Sequence, residues 1–125
     1  MSQHGGPNSN GKKAAEALAR YRLVNLVAGT PSQVEYPDAQ ADDDVCYGIT
    51  EHACAADEHV TIRNGGPFKL TIAEAIAQGA LIAPGPSGKG QVPDVGNFAC
   101  CRALEAGTTD GDVIEVEWIT PTVVA

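Results

Sequence analysis

The sequence predicts a mainly β protein, a small β-sandwich or β-barrel with one short helix and an extended N-terminal arm. Three observations carry this. From residue 20 onward, short runs rich in Val, Ile and Thr (RLVNLV, VCYGIT, HVTIR, FKLTI, ALIA, FACCRAL, DVIEVEWI) alternate with Gly- and Pro-containing breaks (GTPSQ, NGGP, PGPSGKG, GTTDG), the spacing of a sandwich or barrel. In the last run Ile114, Val116 and Trp118 alternate with Glu115 and Glu117, so one face is buried and the other turns acids to water. A strand–turn–strand plan also occurs twice.

The 125 residues are enough for one domain with its own core, without a metal or disulfide to staple it. Aromatic residues make up only 5% of the chain, so that core must be built from Ala, Val, Ile and Leu.

Taken in order, residues 1–13 (MSQHGGPNSNGKK) are polar and Gly/Asn/Ser-rich, the composition of an arm. KKAAEALARY can form a short helix with Ala14, Leu18 and Tyr21 on one face, given a partner surface. Residues 1–22 are therefore expected to be a flexible basic arm, and residues 23–125 a single β domain. Within that domain TIAEAIAQG reads as the one short helix, with Thr71 as cap, Glu74 completing a capping box and Gly79 as stop. PGPSGKG lacks the spacing and following helix of a phosphate loop and reads as a hairpin tip. Pro121 is expected to end useful pairing, leaving the last residues as an edge segment or free.

Charge is unevenly spread. Lys12, Lys13, Arg20 and Arg22 against Glu16 give residues 1–22 a charge of +3, whereas the remainder carries −11. Such an acidic body repels nucleic acid and anionic membranes, so neither is expected as a partner. The first twenty residues hold no hydrophobic run, and no apolar stretch is long enough to cross a membrane as a helix. With four cysteines this argues for synthesis in a reducing cytoplasm.

The repeated plan sets CYGITEHACAADEHVTIR over CRALEAGTTDGDVIEVE. Gly48 falls over Ala103, Ile49 over Leu104, Glu58 over Asp112, Val60 over Ile114 and Ile62 over Val116, with the second turn shorter by one residue. The first copy also carries Cys46, His52, Cys54 and His59, whose spacing is not that of a zinc site. They are read as scaffold: buried small thiols at Cys46 and Cys101, and histidines in or beside an exposed turn. Neither metal nor cofactor is expected. Asp42, Asp43 and Asp44 lack the spacing of a calcium loop. No Gly-x-Ser-x-Gly elbow is present, and His4, His52 and His59 are the only histidines, so no enzyme is expected.

The order of a Thr-Pro turn, an acidic stretch, YGITEHACAADEHVTIRNGG, QGALIAP, SGKGQVPD and CRALEAGTTDGDVIEVEWI resembles the small bacteriophage capsid-cement, or head decoration, proteins. Gly48-Ile49-Thr50 with Asp57 to Arg63 matches one copy of their repeated unit, and Ala103-Leu104-Glu105 with Gly111 to Val116 the other. Ala56-Asp57 departs from the family's Ala-Gly, and the arm is not part of its core motif. The resemblance implies a β-tulip-like domain that binds the outer surface of an assembled head, commonly as a homotrimer at three-fold positions, and clamps the major capsid protein. Lys12, Lys13, Arg20 and Arg22 are the candidate capsid-binding residues, and Phe98 and Trp118 the candidate core or trimer-interface anchors. The competing readings are a small cytosolic metal- or thiol-dependent protein using Cys46, His52, Cys54 and His59, and a plain oligomeric β-barrel module inside a larger assembly.

Overall fold

The structure, a computed structural model, describes residues 9–27, 29–37, 47–63, 65, 67–95 and 98–124. Strands β1 (Ser9–Ala14), β2 (Leu23–Val27), β3 (Thr30–Glu35), β4 (Gly48–Thr50) and β5 (His59–Arg63) close into a barrel in the order β1-β3-β2-β4-β5. Strands β6 (Pro67–Thr71), β7 (Leu81–Pro84), β8 (Gly90–Gln91), β9 (Phe98–Ala103) and β10 (Val113–Val123) form a second sheet in the order β6-β10-β9-β7-β8. The fold is mainly β, as the sequence predicts, and the one helical element among the described residues is a three-residue 3-10 turn, Pro86–Gly88, at the tip of the predicted 84–90 hairpin.

Period-two alternation builds two cores. Val24, Val34, Val60 and Ile62 point into the barrel, while Leu70, Ile82, Ile114 and Val116 fill the second half. Each side chain of this size removed from water contributes about 1.5–3 kcal/mol. On β2 and β4, Leu23 and Ile49 lie on the opposite face from Val24 and join the second core, at 0% and 1% exposure. The second half thus covers the outer wall of the barrel at β2 and β4. Cys101 is buried as expected and Cys100 is buried as well; their sulfurs, 3.8 Å apart, make a contact and not a disulfide.

The two halves are built to one plan. Leu18 and Cys54 exchange backbone hydrogen bonds of 3.0 and 2.9 Å, and so do Ile76 and Gly107, at 3.0 and 2.9 Å. Around them Ala14 accepts from Asp57 and Ile72 from Gly111, both at 2.8 Å, while Tyr21 donates to Thr50 at 3.0 Å and Gly79 to Ala103 at 2.8 Å. Ala15–Ala19 and Ala73–Ala77, Ala-Glu-Ala-Leu-Ala and Ala-Glu-Ala-Ile-Ala, therefore hold equivalent places. The repeat predicted between 46–63 and 101–117 is real, with a corrected register. The returning strands match as read, but Thr50, and not Gly48, stands over Ala103, and the second turn is longer by one residue. A two-residue slip keeps every side chain on its face, so alternation alone cannot detect it.

This plan overturns both helix expectations. Thr71 ends β6 and Ile76 makes a bridge to Gly107; Lys12 to Ala14 belong to β1 and Leu18 bridges to Cys54. Ala, Glu and Leu favour helix locally, but here the backbone turns through left-handed residues, Tyr21 at φ 60° and Gly79 at φ 85°, and the bridges satisfy the N–H groups instead.

The described part of the expected arm is also built into the body. β1 pairs antiparallel with β5 from Ser9↔Arg63 to Lys13↔His59, and parallel with β3 at Lys13↔Gln33 and Ala14↔Val34. Its polar composition conceals this because strand pairing uses backbone groups that every residue except Pro supplies. GTPSQ, read as a turn, largely belongs to β3, with Gly29 turning at φ 76°. Nor does Pro121 end pairing: the register shifts between Trp118 and Thr122, and pairing resumes at Thr122↔Ala99 and Val123↔Phe98. A bulge is one of the few places a strand accepts Pro.

Candidate functional site

Where the two halves meet, the barrel wall and the outer edge of β6 enclose an open cleft of about 290 Å³. Phe68 and Ile49, both buried, and the Tyr21 ring give it an apolar floor; Glu51, Arg63, Lys69 and Glu115 give it charges of both signs. The halves are joined at one end of the cleft by Thr71 donating its backbone N–H to the Tyr21 carbonyl at 2.9 Å. Arg63 Nη1 lies 3.4 Å from Glu51 Oε1 and its Nε 3.3 Å from the Gly65 carbonyl, both long contacts.

The four cations singled out by the sequence each meet a different partner. Lys12 stands 5.4 Å from the Tyr47 ring centroid, and Lys13 is 3.9 Å from Asp57 in an exposed pair, of a kind worth little in water. Arg20 covers the Tyr21 ring at 4.2 Å. Arg22 Nη1 donates to the Ser87 carbonyl at 3.0 Å, tying the 84–90 hairpin to the barrel. Of the four, Arg20 alone is in the exposed class.

Phe98 is half-buried at the start of β9, opposite Val123. Trp118 is half-buried against the second core and meets Phe68 edge-on, with ring centroids 4.9 Å apart. Its indole N–H is buried without a partner among the described residues.

Of the four Cys and His residues in the first repeat, Cys46 lies outside the described residues, as do Asp42 to Asp44. His52 and His59 are exposed, in the turn and at its edge, as read. His52 Nε2 accepts the Thr61 backbone N–H at 3.2 Å, which leaves Nδ1 to donate to the Ala53 carbonyl at 3.1 Å. Burial pushes the Cys54 thiol above its ordinary pKa; the Leu18 backbone N–H opposes this, and nearby Glu58 adds to it. The thiolate a metal or a nucleophilic mechanism requires is therefore disfavoured. Among the described residues no three His, Cys, Asp or Glu side chains are grouped as metal ligands would be.

Sequence reasoning missed the cleft. Pro67 reads as part of the NGGP break, Lys69 as a position in the FKLTI strand and Glu115 as a solvent-facing strand position, and nothing local to them reports that β6 lies beside the barrel.

A family model described as phage cement protein matches residues 10–118. Among solved structures, the head fiber gp8.5 N base of bacteriophage phi29 has a similar fold, with a TM-score of 0.71 at 16% identity, over 89% of this chain and 92% of that one. No curated protein matches.

Proposed function

The chain belongs to the phage cement protein family, and from that premise we propose that it binds the outer surface of an assembled phage head and clamps neighbouring subunits of the major capsid protein. It is a capsid-associated structural protein of a phage. The proposed role is mechanical and asks for no catalysis and no cofactor. The observation that carries it is the extent of the family match, residues 10–118, which takes in both repeats and the cleft between them.

The same reading includes assembly as a homotrimer at three-fold positions, a symmetry matched to such sites on an icosahedral shell. Trp118 and Phe98 are its proposed anchors, since scarce large rings dominate buried contact area. Lys12, Lys13, Arg20 and Arg22 are proposed to add a salt-sensitive attraction to an acidic shell, with Arg20 the most accessible of them.

Mixing the purified protein with shells that lack it, then sedimenting, tests the role. Saturable co-sedimentation that weakens as salt rises is expected; a protein left entirely in the supernatant overturns the reading. Light scattering of the free protein at micromolar concentration tests the trimer.

A further inference from the structure

We propose that the cleft between the two halves is a peptide-binding site, in which an extended segment of the shell protein adds as a strand to the outer edge of β6. This rests on the attachment reading above and gives it a place on the molecule.

The ladder fixes which way the β6 backbone points. Thr71 directs its N–H away from β10, to the Tyr21 carbonyl, whereas the next residue, Ile72, donates to Asp112 on the β10 side, both at 2.9 Å. In an antiparallel ladder successive residues alternate between the two sides. Lys69, two residues before Thr71 and opposite Glu115, therefore points its N–H and C=O into the cleft. Pro67 follows the same alternation: opposite Glu117, it occupies a position where β10 needs no donor. The Lys69 N–H has no cross-element backbone acceptor among the described residues. An open strand edge of this kind is what β-strand addition uses.

The side chains add selectivity. Lys69 and Glu115 face each other across the ladder, yet neither side chain has an ion-pair or hydrogen-bond partner among the described residues. Arg63 and Glu51 hold each other only at 3.4 Å. The cleft thus offers two cations and two carboxylates over an apolar floor, which suits a peptide bearing both signs of charge and repels a polyanion.

The cleft matches an extended chain in scale. A residue in a sheet takes about 3.4 by 4.8 by 10 Å, so 290 Å³ holds about two residues of one extended chain. Closed at one end by the Thr71–Tyr21 bond and walled by the barrel, it suits a single strand laid along the β6 edge.

Lys69→Pro tests this, because it removes the N–H that points into the cleft together with the Lys side chain, while Lys69→Ala removes the side chain alone. With melting unchanged in both, Lys69→Pro is expected to weaken shell binding at least tenfold relative to Lys69→Ala; equal binding by the two overturns the site. Should Lys69→Pro fail to fold, hydrogen exchange on the wild-type protein decides: the Lys69 amide is expected to slow when shells bind, and an unchanged rate overturns the proposal. Loss of self-association in Lys69→Pro would assign the edge to a second copy and overturn the shell peptide. If the wild-type protein leaves shells undecorated, the attachment reading falls and the site with it; if it decorates them regardless of Lys69→Pro, the site alone falls.

Discussion

Glu16 and Glu74 do the same work in the two halves: the Glu16 carboxylate accepts the Tyr36 backbone N–H at 3.1 Å, and Glu74 accepts that of Val92 at 2.9 Å. Each lies in an Ala-Glu-Ala segment and reaches the residue two beyond the parallel pairing, Ala14↔Val34 in one half and Ile72↔Gly90 in the other. Glu74, expected to complete a helix capping box, instead ties the 73–77 segment to the chain leaving β8.

Replacing either glutamate with Ala should therefore cost about 1 kcal/mol, the usual net worth of one such hydrogen bond. The two sites share no partner, so the double variant should lose about the sum. Denaturant unfolding measures both; a neutral Glu74→Ala would show that its bond contributes nothing.

Cys54 and Gly107 stand in equivalent bridges but tolerate change differently. A Cβ at Gly107 would lie 2.9 Å from Ile114 Cγ2 and nearer still to Ile72 Cδ1, so Gly107→Ala should destabilise by about 1–3 kcal/mol through overpacking. Replacing His52 and Cys54 together with Ala removes one exposed and one half-buried side chain and should cost less than about 1 kcal/mol. Stoichiometric zinc in the purified protein, lost with stability in that double variant, would revive the metal reading.

Truncation should divide sharply at Ser9. Removing residues 1–14 takes away β1, with its ladders to β5 and β3 and the buried Ala14, so cooperative unfolding should disappear. Removing residues 1–8 leaves every described strand in place and should preserve it. Thermal melts of the two truncations decide, and a normal transition after removal of 1–14 would contradict the barrel closure.

Acid should act through Asp112. Its carboxylate accepts the Thr108 and Thr109 backbone N–H groups at 3.0 and 3.1 Å, which hold its pKa below the ordinary value. A lowered folded pKa means that this stabilisation is complete above the unfolded value, about 3.9, and is lost as pH falls through the folded one. Stability should accordingly decline in that acid range, and less steeply in Asp112→Asn; identical profiles would remove Asp112 from the account.

Much of the fold was legible locally. HVTIR, FKLTI and DVIEVEWI became β5, β6 and β10 because alternation of side chains along a strand is a property of the segment itself. Illegible were β1 and β3, whose polar sequences pair through backbone groups that composition does not report, and the Ala-Glu-Ala segments, where helix propensity lost to bridges with Cys54 and Gly107. For the candidate site, the residues were visible but not their surroundings: Lys12, Lys13, Arg20 and Arg22 look like one basic arm in sequence, whereas in space each meets a different partner, the Tyr47 ring, Asp57, the Tyr21 ring and the Ser87 carbonyl.

By itself, the sequence determined the mainly β class, the strands with apolar alternation and a repeated strand–turn–strand plan, along with the motifs that resemble the cement family. Each of these is written in spacings of a few residues. Only the tertiary structure decided which strands pair, that the barrel closes through Ser9–Ala14, and that Tyr21, Arg63 and Lys69 share a cleft. Those outcomes depend on backbone hydrogen bonds and steric fit between segments far apart in the chain, and such long-range choices leave no periodic mark on either partner.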